Sequence, residues 1–141
     1  MNEFLVTKED AGKIVFDYIQ EKYLNYDSIA YSCNNTIVPH IHRIKEGDRV
    51  ESYPITHREG YWVYLSSLYF LLSYVTRTLY PRSKLEISHT VAKNVYCYFR
   101  GKERLTEEKV FAIRDKMREL VTADIPLQVE MRDRKDAINL F

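Results

Sequence analysis

The segment GYWVYLSSLYFLLSYVT, residues 60–76, carries no charge, and it constrains the fold more than any other part of the 141-residue chain. Arg58, Glu59 and Arg77 bound it closely. A bilayer demands ~20 consecutive apolar residues; this run is shorter and is interrupted by serines and tyrosines. Its spacing therefore predicts a long buried helix rather than a membrane span. Tyr61, Leu65, Leu68, Leu72, Val75 and Leu79 form one stripe, Tyr64 and Leu71 widen it, and Pro81 stops it.

A helix apolar on so many sides needs partners, and the rest of the chain supplies candidates. From Glu9 to Tyr23, Ile14, Val15, Tyr18 and Ile19 recur at helical spacing. In SIAYSCNNTIVPHIHRI, Ile29, Tyr31 and Cys33 alternate, Asn34-Asn35 supplies a tight turn, and Pro39 confines the second run to an edge or bend. KEGD reads as a turn and RVESYPI as a short strand. After the long helix, KLEISHTV and VYCYF alternate as a hairpin. Thr106 caps a helix with Glu107 and Glu108 in its first turn and Val110, Ile113, Met117, Leu120 and Val121 as its apolar stripe. IPLQVEM reads as a strand, and Asp133 as the cap of a last helix ending in Leu140-Phe141. Such an ending, with no Gly, Asn or basic residue to close it, predicts a fragment of a longer chain. The expected fold class is α+β, divided into residues 1–57 and 58–141.

Composition removes several function classes. A hydrophobic share of 45% and a charged share of 29% belong to a folded globular chain. Lys and Arg (21) nearly balance Asp and Glu (20), so nucleic-acid binding would need a local patch. Two cysteines do not make a disulfide framework. MNEFLVTKED lacks the basic lead and apolar core of a signal peptide, so a cytoplasmic location without membrane contact is expected. FRGKERLT contains Gly-Lys but not the GxxxxGK[ST] spacing of a phosphate-cradling loop.

The hairpin holds the sharpest candidate site. Leu85, Ile87, His89 and Val91 share one face, as do Val95, Cys97 and Phe99. A three-residue loop at Ala92-Lys93-Asn94 would make those faces coincide and set His89 opposite Cys97. Zinc ligation needs three or four ligands, and a thiolate–imidazole nucleophile needs a cleft and an orienting third group. Cys33, His40, His42 and His57 lack the spacing of a zinc motif, so the pair is read as packed cross-strand neighbours, with metal binding as the weaker alternative. Tyr96, Tyr98 and Arg100 alternate onto the outer face, where they could stack on and pair with nucleic acid or another ligand. Arg114, Lys116, Arg118, Arg132, Arg134 and Lys135 are interleaved with acids and read as a solvated face.

These residues also carry a family likeness. SCNNTIVPHIHRIKEGDRVESYPIT resembles the second half of a TGS domain, a β-grasp (ubiquitin-like) module. The chain from Tyr61 onward resembles the second additional domain of threonyl-tRNA synthetase. ISHTVAKNVYCYF is similar to the version found in bacterial nucleoside (uridine) kinase-like proteins. This last likeness is the closer one and gives the leading expectation: a non-catalytic, regulatory or ligand-sensing N-terminal region, with a downstream kinase domain of the same chain as its partner. That domain would be a transferase using ATP and magnesium. The synthetase likeness implies instead an accessory module contacting tRNA or another RNA through Tyr96, Tyr98 and Arg100. A metal-dependent deacylase built on His89 and Cys97 is the third reading. The HxxxH pair of the synthetase editing site falls on Ser66 and Phe70, so editing activity is not expected, and no catalytic residue or cofactor is assigned to the chain itself. Residues 1–8 are also too few for the strand hairpin that opens a complete TGS domain.

Overall fold

Strand alternation and one tight turn organise the first part of the chain. The computed structural model describes residues 2–22, 27–91, 94–101, 104–125 and 132–138. Strand β1 (Asn2–Leu5) is followed by helix α1 (Val15–Lys22), then by strands β2 (Ser28–Cys33), β3 (Thr36–Val38) and β4 (Arg49–Pro54). The strands form one antiparallel sheet in the order β1-β4-β2-β3. Asn34 and Asn35 take φ values of 51° and 62°, the left-handed pair that a two-residue hairpin turn requires. Pro39 ends β3, which lies at the sheet edge, where a residue without an N–H is tolerated.

Tyr31 of β2 and Val50 of β4 bury against Val15, Tyr18 and Ile19 of α1, with Val6 and Ile44 closing the cluster. Each such side chain contributes ~1.5–3 kcal/mol on burial. A helix packed on one face of an antiparallel sheet gives this part its β-grasp character. Two expectations shift. Helix α1 starts at Val15 rather than Glu9, because residues 8–12 form turns and Gly12 sits at φ 92°. Ile29 leaves the Tyr31 face and is exposed, because the β2–β4 register shifts between Ser28 and Ala30. Among the described residues, strand β1 precedes α1.

On the opposite face of the sheet, Ser32, Tyr53 and Glu51 form a hydrogen-bonded chain, with Tyr53 Oη 3.0 Å from Ser32 Oγ and donating to Glu51 Oε2 at 2.9 Å. Tyr53 also stacks on His57, whose Nδ1 lies 2.7 Å from Glu59 Oε2. Helix α2 (Arg58–Leu79) begins there. A Cβ on Gly60 would lie 2.0 Å from the Pro54 carbonyl oxygen, so only glycine lets the first turn of α2 approach the end of β4.

The chain divides into two compact units, Met1–Leu71 and Leu72–Phe141, and the division falls inside α2. The sequence suggests a boundary at the start of that helix. Gly60, Val75 and Thr76 are its buried residues, whereas Trp62, Phe70 and Tyr74 are more than half exposed. Within the predicted stripes Val75 is buried and Leu65, Leu68, Leu71 and Leu72 are half-buried, but Tyr61, Tyr64 and Leu79 are exposed, so cover is narrower than the two-stripe pattern implies. Among the described residues no helix is long and apolar enough to cross a membrane.

The second unit continues with strands β5 (Ser83–Val91) and β6 (Asn94–Gly101), then helices α3 (Glu107–Thr122) and α4 (Arg134–Ile138). Thr106 caps α3 as expected, its Oγ1 accepting from the Lys109 N–H. In α3 only Ile113 is buried, while Val110 and Val121 are exposed. The predicted strand IPLQVEM lies almost wholly outside the described residues, as does the end of the last helix.

Candidate nucleic-acid interface

The β5–β6 hairpin sets the geometry of the site through an irregularity in its register. Leu85 pairs with Phe99, Glu86 with Tyr98 and Ile87 with Cys97; the register then shifts, and Thr90 pairs with Val95 and Val91 with Asn94. Ser88 and His89 therefore stand against Tyr96 alone, two residues facing one. This is a β-bulge, which redirects a side chain within a strand.

The bulge separates the pair expected from alternation. Cys97 lies opposite Ile87, not His89. His89 instead stacks on Tyr96, with ring centroids 5.4 Å apart and planes 1° from parallel, and its Nδ1 is hydrogen-bonded to Ser88 Oγ at 3.0 Å. The expected cross-strand contact between His89 and Cys97 is thus corrected, and with it the basis for a joint metal or nucleophilic site. Partial desolvation also pushes the Cys97 thiol above its ordinary value, away from the thiolate a nucleophile needs.

Tyr96 and Tyr98 lie next to each other on this face at 6.4 Å between centroids, and both are exposed. The Arg100 guanidinium lies 5.9 Å from the Tyr98 ring centre, at the outer range of a cation–π contact. Its Nε also pairs with Glu86 Oε2 at 2.7 Å, and Lys84 Nζ reaches the same carboxylate at 3.5 Å. These exposed ion pairs add little stability, but they orient the guanidinium along the aromatic row. His89, Tyr96, Tyr98 and Arg100 so form a graded surface of π faces ending in a cation. On the opposite face Leu85, Ile87, Val95 and Phe99 are half-buried, Phe99 meeting the edge of Tyr80. Alternation alone brings Tyr96, Tyr98 and Arg100 together; His89 joins them through the bulge, for which the sequence carries no signal.

The resemblance to threonyl-tRNA synthetase would set its editing pair at Ser66 and Phe70. Ser66 and Phe70 lie one turn apart on α2, both exposed. Neither side chain can hold a metal or shuttle a proton as an imidazole does.

A different cluster escaped the count of Cys and His spacings. The ligand atoms of Cys33, His42 and Asp48 lie within 4.8 Å of one another. Cys33 ends β2, Asp48 closes the turn before β4, and His42 belongs to the connection between β3 and β4. Burial, then the Asp48 carboxylate, pushes the Cys33 thiol up to about 11, against the pull of Lys45. The Lys45 N–H, donating at 2.7 Å, holds Asp48 below the usual carboxylate value; Asn34 and the Cys33 thiol act in the same direction.

With this geometry established, comparison with known proteins gives a consistent set of relatives. No protein-family model matches the chain. The threonine–tRNA ligase of Nitrosococcus oceani is 33% identical over 89 residues, covering 62% of this chain and 14% of the relative. That of Citrifermentans bemidjiense is 28% identical over 150 residues, covering 100% of this chain and 24% of the relative. That of Wolbachia pipientis is 23% identical over 135 residues, covering 95% and 21%. These relatives overturn the nucleoside kinase expectation, and with it the uridine kinase, transferase and ATP-binding assignments drawn from ISHTVAKNVYCYF. The chain spans between 14% and 24% of the length of these threonine–tRNA ligases and is similar to that part of them.

Proposed function

We propose that this chain is an RNA-contacting accessory region of the threonine–tRNA ligase type, with tRNA as its ligand and no editing chemistry of its own. The observation that carries the reading is the exposed row His89, Tyr96, Tyr98 and Arg100 on one face of the hairpin. Unstacked bases of an RNA end or loop are held by aromatic faces and guanidinium planes, and this row offers both. The sequence likeness to threonine–tRNA ligases supports tRNA over other RNAs. Ser66 and Phe70, in place of the editing histidines, support a contact role over a hydrolytic one.

With a net charge of only +1, the phosphate contribution is small and stacking dominates. Fluorescence anisotropy of labelled tRNA across a salt series tests this. The expected plot of log affinity against log salt is shallow, with a slope on the order of −1 to −2, as for one or two phosphate contacts. Tyr96→Ala and Tyr98→Ala should each weaken binding by ~1–3 kcal/mol, while Arg100→Ala flattens the slope. Absence of binding at low salt, or binding untouched by both tyrosine substitutions, would contradict the reading.

A further inference from the structure

The Cys33, His42 and Asp48 cluster lies in the first unit, apart in sequence from the hairpin, and takes no part in the RNA reading. Its three side chains offer sulfur, imidazole nitrogen and carboxylate oxygen, all within 4.8 Å. That donor set suits a borderline-soft cation such as zinc. Thiolate, imidazole and carboxylate bind zinc at about 2.0–2.3 Å, so the ligand atoms need only a modest inward rotation to share one ion. Cys33 is buried, whereas His42 and Asp48 are half-buried and open the cluster to solvent.

The surroundings are organised as the outer shell of such a site is. Asn34 Nδ2 donates to Asp48 Oδ1 at 2.9 Å, while Asn34 Oδ1 accepts from the Arg49 N–H and the Asn34 N–H donates to the Arg49 carbonyl. One residue thus fixes Asp48 and, through the turn, the end of β2 that carries Cys33. The His42 backbone is anchored at both ends, its N–H donating to the Pro39 carbonyl and its carbonyl accepting from Val15. Ligating carboxylates are characteristically oriented by such hydrogen bonds.

We propose that Cys33, His42 and Asp48 bind one zinc-type divalent cation, with the fourth position open to water. On binding, the Cys33 S–H bond breaks, the sulfur–metal bond forms with the sulfur electron pair, and one proton passes to solvent. The cation then takes the place of the thiol proton, beside the Asp48 carboxylate.

Cobalt(II) is the probe, titrated into the reduced 141-residue chain in a non-coordinating buffer. One ion per chain, a thiolate-to-cobalt charge-transfer band, the visible bands of a four-coordinate ion and displacement by zinc are expected. Zinc addition should release one proton per site in a weakly buffered solution. Cys33→Ser should abolish the charge-transfer band and Cys97→Ser should leave it intact. Asn34→Ala, which removes no ligand, should weaken affinity about 10- to 100-fold. If Cys33→Ser fails to fold, His42→Ala with unchanged circular dichroism serves instead, and should lose the four-coordinate spectrum. A band that survives Cys33→Ser or follows Cys97, no band at saturating cobalt, or full four-coordinate binding by folded His42→Ala would overturn the proposal.

Discussion

The two units differ in how far their apolar residues close into a core. In Met1–Leu71, Val6, Val15, Tyr18, Ile19, Tyr31, Ile44 and Val50 close into a core that excludes water. In Leu72–Phe141, Val75, Thr76 and Ile113 are the buried residues among those described, while Tyr74, Tyr96, Tyr98 and Val121 remain at the surface. A dry core stabilises a fold, whereas exposed aromatics in a row contribute little to stability and much to contact. The first unit thus holds a closed core, while exposed apolar residues, Trp62 and Phe70 among them, occur in both units.

Substitutions should separate the two behaviours. Ile19→Ala is expected to show the largest effect, a loss of ~2–5 kcal/mol in chemical denaturation, with Ile113→Ala at or below the low end of that range. Equal losses would break the contrast. Gly60→Ala comes next, at ~1–3 kcal/mol, because its Cβ would be driven into the Pro54 carbonyl; an unchanged denaturation midpoint would show that the first turn of α2 can move away from β4.

The smallest effect is electrostatic. Asp10 accepts from Lys13 Nζ at 2.9 Å and from Thr7 Oγ1 at 3.1 Å, and the Lys13 hydrogen bond leads in holding its carboxyl below the ordinary 3.8. A depressed folded-state value adds stability that is present above 3.8 and is lost as pH falls through the lower, folded value. Thermal melts at descending pH should show this loss, and Asp10→Asn should reduce it. An acid limb unchanged in Asp10→Asn would remove Asp10 from the account.

Much of this architecture is legible in the sequence because local chemistry dictates it. The Asn34-Asn35 turn, the Thr106 cap, the stop at Pro81 and the outward alternation of Tyr96, Tyr98 and Arg100 each follow from adjacent residues. The misses share a cause: they depend on what lies across the fold. Periodicity reports which residues share a face of α2 and α3, but not whether anything covers that face, so Tyr61 and Val110 are exposed. Strict alternation set His89 opposite Cys97, and one extra residue in β5 turned His89 onto Tyr96. Asp48 joined Cys33 and His42 through a turn and two strand ends, a convergence that no short spacing encodes.

The central claim is that the hairpin face is the part of this chain that meets tRNA. Amide and side-chain resonance shifts, followed as unlabelled tRNA is added to the isotope-labelled chain, test it most directly. The account predicts that the largest shifts fall on Glu86 to Arg100, including the His89 imidazole and the Tyr96 and Tyr98 rings, with β2 and α1 of the first unit nearly unmoved. Shifts centred on the first unit, with the hairpin silent, would contradict it.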